Sequence, residues 1–358
     1  MFCQLRKWSN IDYMDKDIWT FLSETRQPVV IYGTGDGADK LFSILEDLHV
    51  RVRAVFASPG FVRSRTFHGY KVRSFEDCLA EYGREMVVLM AFGSRDPEVM
   101  SYILHVAECC TLLIPDLLFD EDHKPFRTEY ASRHAAEIEK AYRRLGDEES
   151  RKVFEAAIRN KLTGNTEELM KGVSDERENW KLLQIRDGDS FFDAGAYNGD
   201  TLSLFLSFTE NYGRIYACEP DPKSFRRLKA RAEGLRDTEL YQAAVSECPG
   251  TMNFTFGKGR GNAKGGDGVI RAESIDSILR GRSVSVIKYD IEGEEERGLK
   301  GASSTIREYR PRILLSAYHK TDDLWVLPKV VDAIRDDYTY LLRRSVCMPL
   351  WDLSYFLI

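Results

Sequence analysis

Twice along this chain a short apolar run breaks at a glycine turn and gives way to a helical pattern. The first is Pro28-Val-Val-Ile-Tyr-Gly33, running into Gly33-Thr-Gly35-Asp-Gly37-Ala38, with helical apolar spacing over Leu41 to Leu48. The second is Ser190-Phe-Phe-Asp193, running into Asp193-Ala-Gly195-Ala-Tyr-Asn-Gly199-Asp-Thr201, with a helix over Thr201 to Phe208. A strand that turns into a helix within a few residues opens a βαβ unit, and repetition of that alternation gives a parallel sheet covered on both faces.

Each opening is followed by the repetition. After the first come strands at 51–56, 86–91 and 111–115, with helices at 75–82 and 96–109 between them. After the second come strands at 214–218, 238–245, 284–289 and 312–317, with helices at 222–233 and 295–306. Two further strands, 338–343 and 353–357, have no helix between them and predict an antiparallel end to the sheet. The predicted fold is therefore α/β, with two Rossmann-like units over 1–118 and 186–358. The stretch 119–185 is rich in charge and carries amphipathic patterns at 135–145 and 150–159, which predicts a helical connector. A chain of 358 residues suits two or three such units.

Composition removes several partners. The net charge of -6 argues against a general nucleic-acid binder, since phosphate backbones are gripped by clustered Lys and Arg. No apolar run approaches the roughly 20 residues that span a bilayer, so no membrane partner is expected. The N-terminus has no apolar core after its charges, and none of the seven cysteines forms a CxxC pair. These features predict a cytoplasmic chain with free thiols. The six histidines show no metal-ligand spacing, so no residue is assigned to a metal. Self-association is left open.

The two glycine loops predict different chemistry. The first has the dinucleotide-fingerprint spacing, Gly33-x-Gly35-x-x-Ala38, with Gly37 beside it. Its next strand, however, ends Val55-Phe56-Ala57-Ser58-Pro59, without the acid that binds a ribose diol. Nicotinamide binding is thus disfavoured; a sugar nucleotide, or a unit used only for packing, stays open. The second loop is followed by a strand that ends Ala217-Cys218-Glu219-Pro220. Glu219 is placed to accept two hydrogen bonds from a ribose diol, and Asp193 to serve a cationic group. S-adenosylmethionine has a ribose, an ammonium and a sulfonium but no phosphate. It therefore fits this loop, with Asp193, Gly195, Tyr197, Asn198, Gly199, Asp200, Thr201, Glu219, Ala243 and Ala244 as the expected cofactor residues.

Several motifs in order resemble the FkbM family of class I methyltransferases. They are Phe191 to Thr201, Ala217 to Pro220, Val286-Ile-Lys-Tyr-Asp-Ile-Glu-Gly293, Leu299-Lys-Gly-Ala302 and Pro311 to Trp325. The resemblance covers about residues 150–345. It implies a class I seven-stranded sheet with an antiparallel last strand, and O-methylation of sugars in glycans or secondary metabolites. The first unit resembles the Rossmann-like domain that precedes some members of that family. The segment Val346 to Leu353 departs from the family's pattern.

Methyl transfer to an alcohol needs alignment and a proton acceptor. Ligands gather at the carboxyl ends of parallel strands. His319, after the strand at 312–317, is the expected base, because imidazole titrates near neutrality. Asp290 is the second choice, or it orients the acceptor hydroxyl. Glu292, Tyr318 and Lys320 are expected near the acceptor. So is Arg260, in the glycine-rich loop 257–268, and Gly33, Gly35 and Gly37 are weaker second-ligand residues. The run Glu292 to Arg297 reads as a solvated helix start. The expected activity is methyl transfer from S-adenosylmethionine to a hydroxyl of a sugar, sugar nucleotide or related precursor. A non-catalytic sugar-nucleotide-binding scaffold and an NAD(P)-dependent oxidoreductase are the alternatives.

Overall fold

The structure, a computed structural model, describes residues 16–62, 66–117, 125–254 and 268–358. The chain divides into two compact units. The first holds residues up to 142 with 148–173 and 344–352; the second holds 143–147, 174–343 and 353–358. The helical stretch 119–185 is therefore shared out rather than standing apart: 148–173 go with the first unit and 174–185 with the second.

The first unit is built on β1 (Val29–Tyr32), β2 (Val52–Phe56), β3 (Thr66–Phe67), β4 (Tyr70–Arg73), β5 (Val87–Met90) and β6 (Thr111–Leu113), in the order β3-β4-β2-β1-β5-β6. The pairs β1–β2, β1–β5, β2–β4 and β5–β6 are parallel, and the short β3 runs antiparallel to β4. Every residue of β1 and β5 is buried, which is why both read as unbroken apolar runs. The helix Pro97–Cys109 starts where Asp96 accepts the N–H groups of Glu98 and Val99, with Pro97 in the first turn.

The second unit holds β7 (Phe191–Ala194), β8 (Ile215–Cys218), β9 (Thr238–Tyr241), β13 (Val286–Tyr289), β14 (Arg312–Ser316), β15 (Tyr340–Arg344) and β16 (Leu353–Leu357). They form one seven-stranded sheet in the order β15-β16-β14-β13-β7-β8-β9. β14 and β16 pair antiparallel, and β9, β8, β7, β13 and β14 run parallel. A three-stranded sheet of β10 (Ala244–Val245), β11 (Gly250–Phe254) and β12 (Gly268–Glu273) lies beside it in the chain, in the order β10-β12-β11. The single strand expected over 238–245 is thus two, in different sheets. Phe191, Phe205, Val286 and Phe356 share one apolar cluster with Trp180, and Phe191 stacks on Phe205 at 4.5 Å between ring centroids. No described helix is long and apolar enough to cross a membrane.

Candidate active site

The register between β7 and β13 sets Asp193 directly beside Lys288. Both lie inside the sheet, with side chains 0% and 6% exposed. The Lys288 ammonium is 3.2 Å from Asp193 Oδ1 and donates to the Gly195 carbonyl at 2.7 Å. Asp193 Oδ2 accepts from Thr201 Oγ1 at 2.6 Å. Burial pushes the Asp193 carboxyl above its ordinary range, against the pull of Lys288 and Thr201. Burial works the other way on Lys288, but Asp193 and Asp290 outweigh it and its pKa lies above the usual value. Asp193 Oδ1 is buried and, although ion-paired with Lys288, accepts no hydrogen bond among the described residues. It holds the strand-to-helix turn to β13, because the neighbouring strand brings a buried ammonium to it.

That turn is shaped by glycine. Gly195 has φ +80, and a Cβ there would lie 1.9 Å from the Asp290 carbonyl oxygen. Gly199 has φ +82 and caps the helix Asp200–Leu206. Tyr197, at φ 47, donates its N–H to Glu219 Oε2 at 2.8 Å. Asp221 N–H donates to Glu219 Oε1, also at 2.8 Å. Asn198 Oδ1 accepts the Asp200 N–H, and the Asp200 carboxylate accepts the Thr201 N–H. Glu219, only 7% exposed at the end of β8, is pushed up to about 7 by burial, which its two backbone donors offset in part. Each carboxylate oxygen retains a lone pair, so Glu219 suits a neutral diol better than a second anion. Ala243 is fully buried and Ala244 opens β10.

A second cluster gathers at the carboxyl ends of β13 and β14. His319 Nδ1 lies 2.9 Å from Glu295 Oε1, and its Nε2 lies 3.3 Å from Asp290 Oδ1 and 3.8 Å from Glu292 Oε2. Tyr318 donates to Asp290 Oδ1 at 3.0 Å. The backbone N–H groups of His319 and Lys320 both donate to Asp323 Oδ2, at 2.8 and 2.7 Å. Burial pulls the His319 pKa down, but Glu295, Asp290 and Glu292 raise it to about 10. The neighbouring carboxylates thus favour the protonated ring, with Nδ1 hydrogen-bonded to Glu295 and Nε2 in ion-pair range of Asp290 and Glu292. This environment weighs against the expected role of His319 as base, which rested on the titration of a free imidazole. Burial raises Asp290, yet Lys288, His319 and Tyr318 more than offset it, and the net direction is down. Glu292 has a positive φ of 55 and a side chain 41% exposed, and burial nonetheless pushes it up to about 7.

Three working groups were not expected from sequence: Lys288, Glu295 and Asp323. Glu295 belongs to the run read as a solvated helix start, but its side chain is 1% exposed because His319 and the Ile291 N–H both turn to it. A lone lysine inside the apolar run 284–289 was the one visible signal for Lys288. Arg260, with Lys258 and Lys264, lies outside the described residues.

Gly33, Gly35 and Gly37 belong to the first unit; Gly33 and Gly37 are tightly packed, whereas a Cβ on Gly35, the N-cap of the helix Asp36–Asp47, would meet nothing within 4 Å. A Cβ on Gly37 would lie 2.3 Å from the Ala91 carbonyl oxygen, and one on Gly33 would touch Phe92 at 3.0 Å. The helix that follows carries Asp36 and Asp39 in its first turn, which opposes an incoming phosphate. Ser58, where a ribose-binding acid would stand, is paired with the Tyr32 hydroxyl instead. In the same unit a Cβ on Gly93 would meet the Trp351 ring at 2.0 Å.

Residues 193–342 match the family model of the methyltransferase FkbM domain. No curated protein gives a significant match. Among solved structures, methyltransferase FkbM from Methylobacillus flagellatus KT is similar over 99% of this chain and 98% of its own, at 20% identity and a TM-score of 0.74. An rRNA methylase from Streptococcus thermophilus is 16% identical over 50% of this chain and 92% of its own, with a TM-score of 0.35. Aeropyrum pernix fibrillarin, in complex with natively bound S-adenosyl-L-methionine, is 12% identical over 48% and 67%, with a TM-score of 0.31.

Proposed function

We propose, on the premise that residues 193–342 are an FkbM methyltransferase domain, that this chain is an S-adenosylmethionine-dependent O-methyltransferase whose acceptor is a hydroxyl of a sugar, sugar nucleotide or related precursor. The observation that carries the acceptor chemistry is the cluster at the carboxyl ends of β13 and β14, where His319 Nε2 lies 3.3 Å from Asp290 Oδ1 and 3.8 Å from Glu292 Oε2. When bound, S-adenosylmethionine supplies a methyl group already activated on a sulfonium.

The protein's residues divide the remaining work. Glu219 accepts from the ribose diol, and the turn 195–199 gives the cofactor close passage of backbone. Glu292 takes the proton of the acceptor hydroxyl as the oxygen forms its new bond to carbon. A base with a pKa near the working pH combines correct ionisation with adequate strength, worth about 10²–10⁴-fold in rate. Asp290 stays ionised and, with the Tyr318 hydroxyl, orients the acceptor. His319, already protonated, holds the carboxylates in place and does not take the proton.

The test is an assay with isotopically labelled S-adenosylmethionine against neutral sugars, sugar nucleotides and matched amines. Label transfer to a hydroxyl, with the product heavier by one CH₂, is expected. Transfer only to amines would overturn the O-methyl reading, and the absence of cofactor binding at millimolar concentration would overturn the enzyme reading.

A further inference from the structure

Glu295 stands in the first turn of the helix Glu295–Lys300, where an acid ordinarily faces solvent and the helix N-terminus. Here the side chain is 1% exposed. One oxygen, Oε1, accepts both the Ile291 N–H at 2.8 Å and the His319 Nδ1–H at 2.9 Å. The other, Oε2, is buried with no hydrogen bond among the described residues. A carboxylate this enclosed is costly unless a full positive charge lies against it. His319 is the cation in contact with it.

The two bonds at Oε1 reach two different parts of the site. Ile291 lies between Asp290 and Glu292, so its N–H anchors the turn that carries both. His319 presents its far nitrogen to those same two side chains. We propose that Glu295 is the positioning residue of this active site, fixing the Asp290–Glu292 turn through Ile291 and holding His319 as a cation that donates toward Asp290 and Glu292. Glu292's part in this rests on the methyl-transfer reading; the Glu295–His319 pair does not.

The charges around the imidazole favour this state from several elements. Glu295 faces it from the helix start, and Asp290 and Glu292 from the turn after β13. Asp323 holds the backbone on either side of His319, from the start of the helix Asp323–Ile334. The Tyr318 ring lies against it at 4.3 Å between centroids. Lys288 opposes, but at one remove, 3.8 Å from Asp290. Without Glu295 the imidazole would turn neutral near physiological pH. Its free Nε2 would then compete with Glu292 for the acceptor's proton.

Glu295→Gln separates charge from shape, because the amide oxygen still accepts from Ile291. The first measurement is an NMR titration of the His319 ring protons, assigned by their loss in His319→Gln. In the unmodified protein the midpoint is expected near 10; in Glu295→Gln it should fall by about two pH units or more. The second is turnover. Glu295→Gln should lower kcat at pH 7 by roughly tenfold to a hundredfold, as a small misplacement of reacting groups does. It should leave cofactor affinity unchanged and displace the acid limb of the kcat profile. In a His319→Gln background the same change should add no further loss. A His319 midpoint near 6.5 in the unmodified protein, or losses that multiply in the double variant, would overturn the proposal. The unmodified protein's titration decides even if Glu295→Gln fails to fold. Absence of turnover with every acceptor sinks the methyl-transfer reading alone.

Discussion

Replacing Lys288 with methionine removes an ammonium that donates to one carbonyl and pairs with two carboxylates. The side chain is 6% exposed, 3.2 Å from Asp193, 2.7 Å from the Gly195 carbonyl and 3.8 Å from Asp290. Methionine fills similar volume, so the change is in charge rather than packing. Breaking a buried pair by removing one partner costs about 3–5 kcal/mol, because the remaining charge is left uncompensated. The Gly195 carbonyl also loses its donor, adding roughly 1 kcal/mol. Asp193 can relieve part of this by taking up a proton, since burial already holds its pKa above the ordinary range. A net loss of about 3–4 kcal/mol is expected on that balance. Hydrogen exchange at the β7 and β13 amides reads the second unit by itself and is the assay of choice. Combining Lys288→Met with Asp193→Asn should recover at least half of the loss, since no bare charge then remains. A loss below about 1 kcal/mol, or no recovery in the double variant, would refute the reasoning and mean that water reaches the pair.

Other outcomes follow from the same geometry. Glu219→Ala leaves the Tyr197 and Asp221 N–H groups without their buried acceptor and takes away the proposed ribose acceptor; cofactor affinity measured by calorimetry should fall at least a hundredfold, about 3 kcal/mol. Gly195→Ala puts a methyl 1.9 Å from the Asp290 carbonyl at φ +80, and the thermal midpoint should drop sharply, with cofactor binding lost. Glu292→Gln should lower kcat by about 10²–10⁴-fold while the cofactor Kd stays unchanged. Glu219, Glu292 and Asp323 each titrate near 7 in the folded state, above their unfolded values of 4.5, 4.5 and 3.8. Raised carboxyl groups favour the folded state at low pH, so stability is lost as pH rises from about 4 through 7. The thermal midpoint of the cofactor-free protein should therefore fall between pH 5 and pH 8, and a rise over that range would contradict these environments.

Much of this was legible in the residues because local signals suffice for it. A buried parallel strand reads as an apolar run, and a glycine turn announces the helix after it, so the parallel strands β1, β2, β5 and β6, the seven-stranded sheet and the Asp193–Thr201 turn were found, whereas the short β3 and β4 and the three-stranded sheet were not. The final strand was found at 353–357, where β16 lies. What escaped depends on pairs far apart in the chain. Lys288 matters because register sets it against Asp193, 95 positions earlier, and no periodicity encodes that. Glu295 escaped because charge runs at helix starts normally meet water, whereas this one meets a histidine from the next strand's end. The surroundings of His319 escaped for the same reason: its ionisation depends on neighbours far away in the chain. The split of 238–245 into β9 and β10 was hidden because Gln242 and Ala243 interrupt pairing without a glycine or proline to mark the break.

The placement of β16 bears on how the protein is made. It follows β15 in the chain but lies between β14 and β15 in the sheet. A ribosome therefore delivers β14 and β15 before the strand that joins them exists. Until residues 353–357 emerge, β14 presents an open row of backbone donors and acceptors next to already apolar faces. The half-made sheet is thus a template for pairing with other chains until residues 353–357 are made and close it. Nascent chains stalled just short of residue 353 should bind chaperones and resist release in folded form, while those carried past 357 should not.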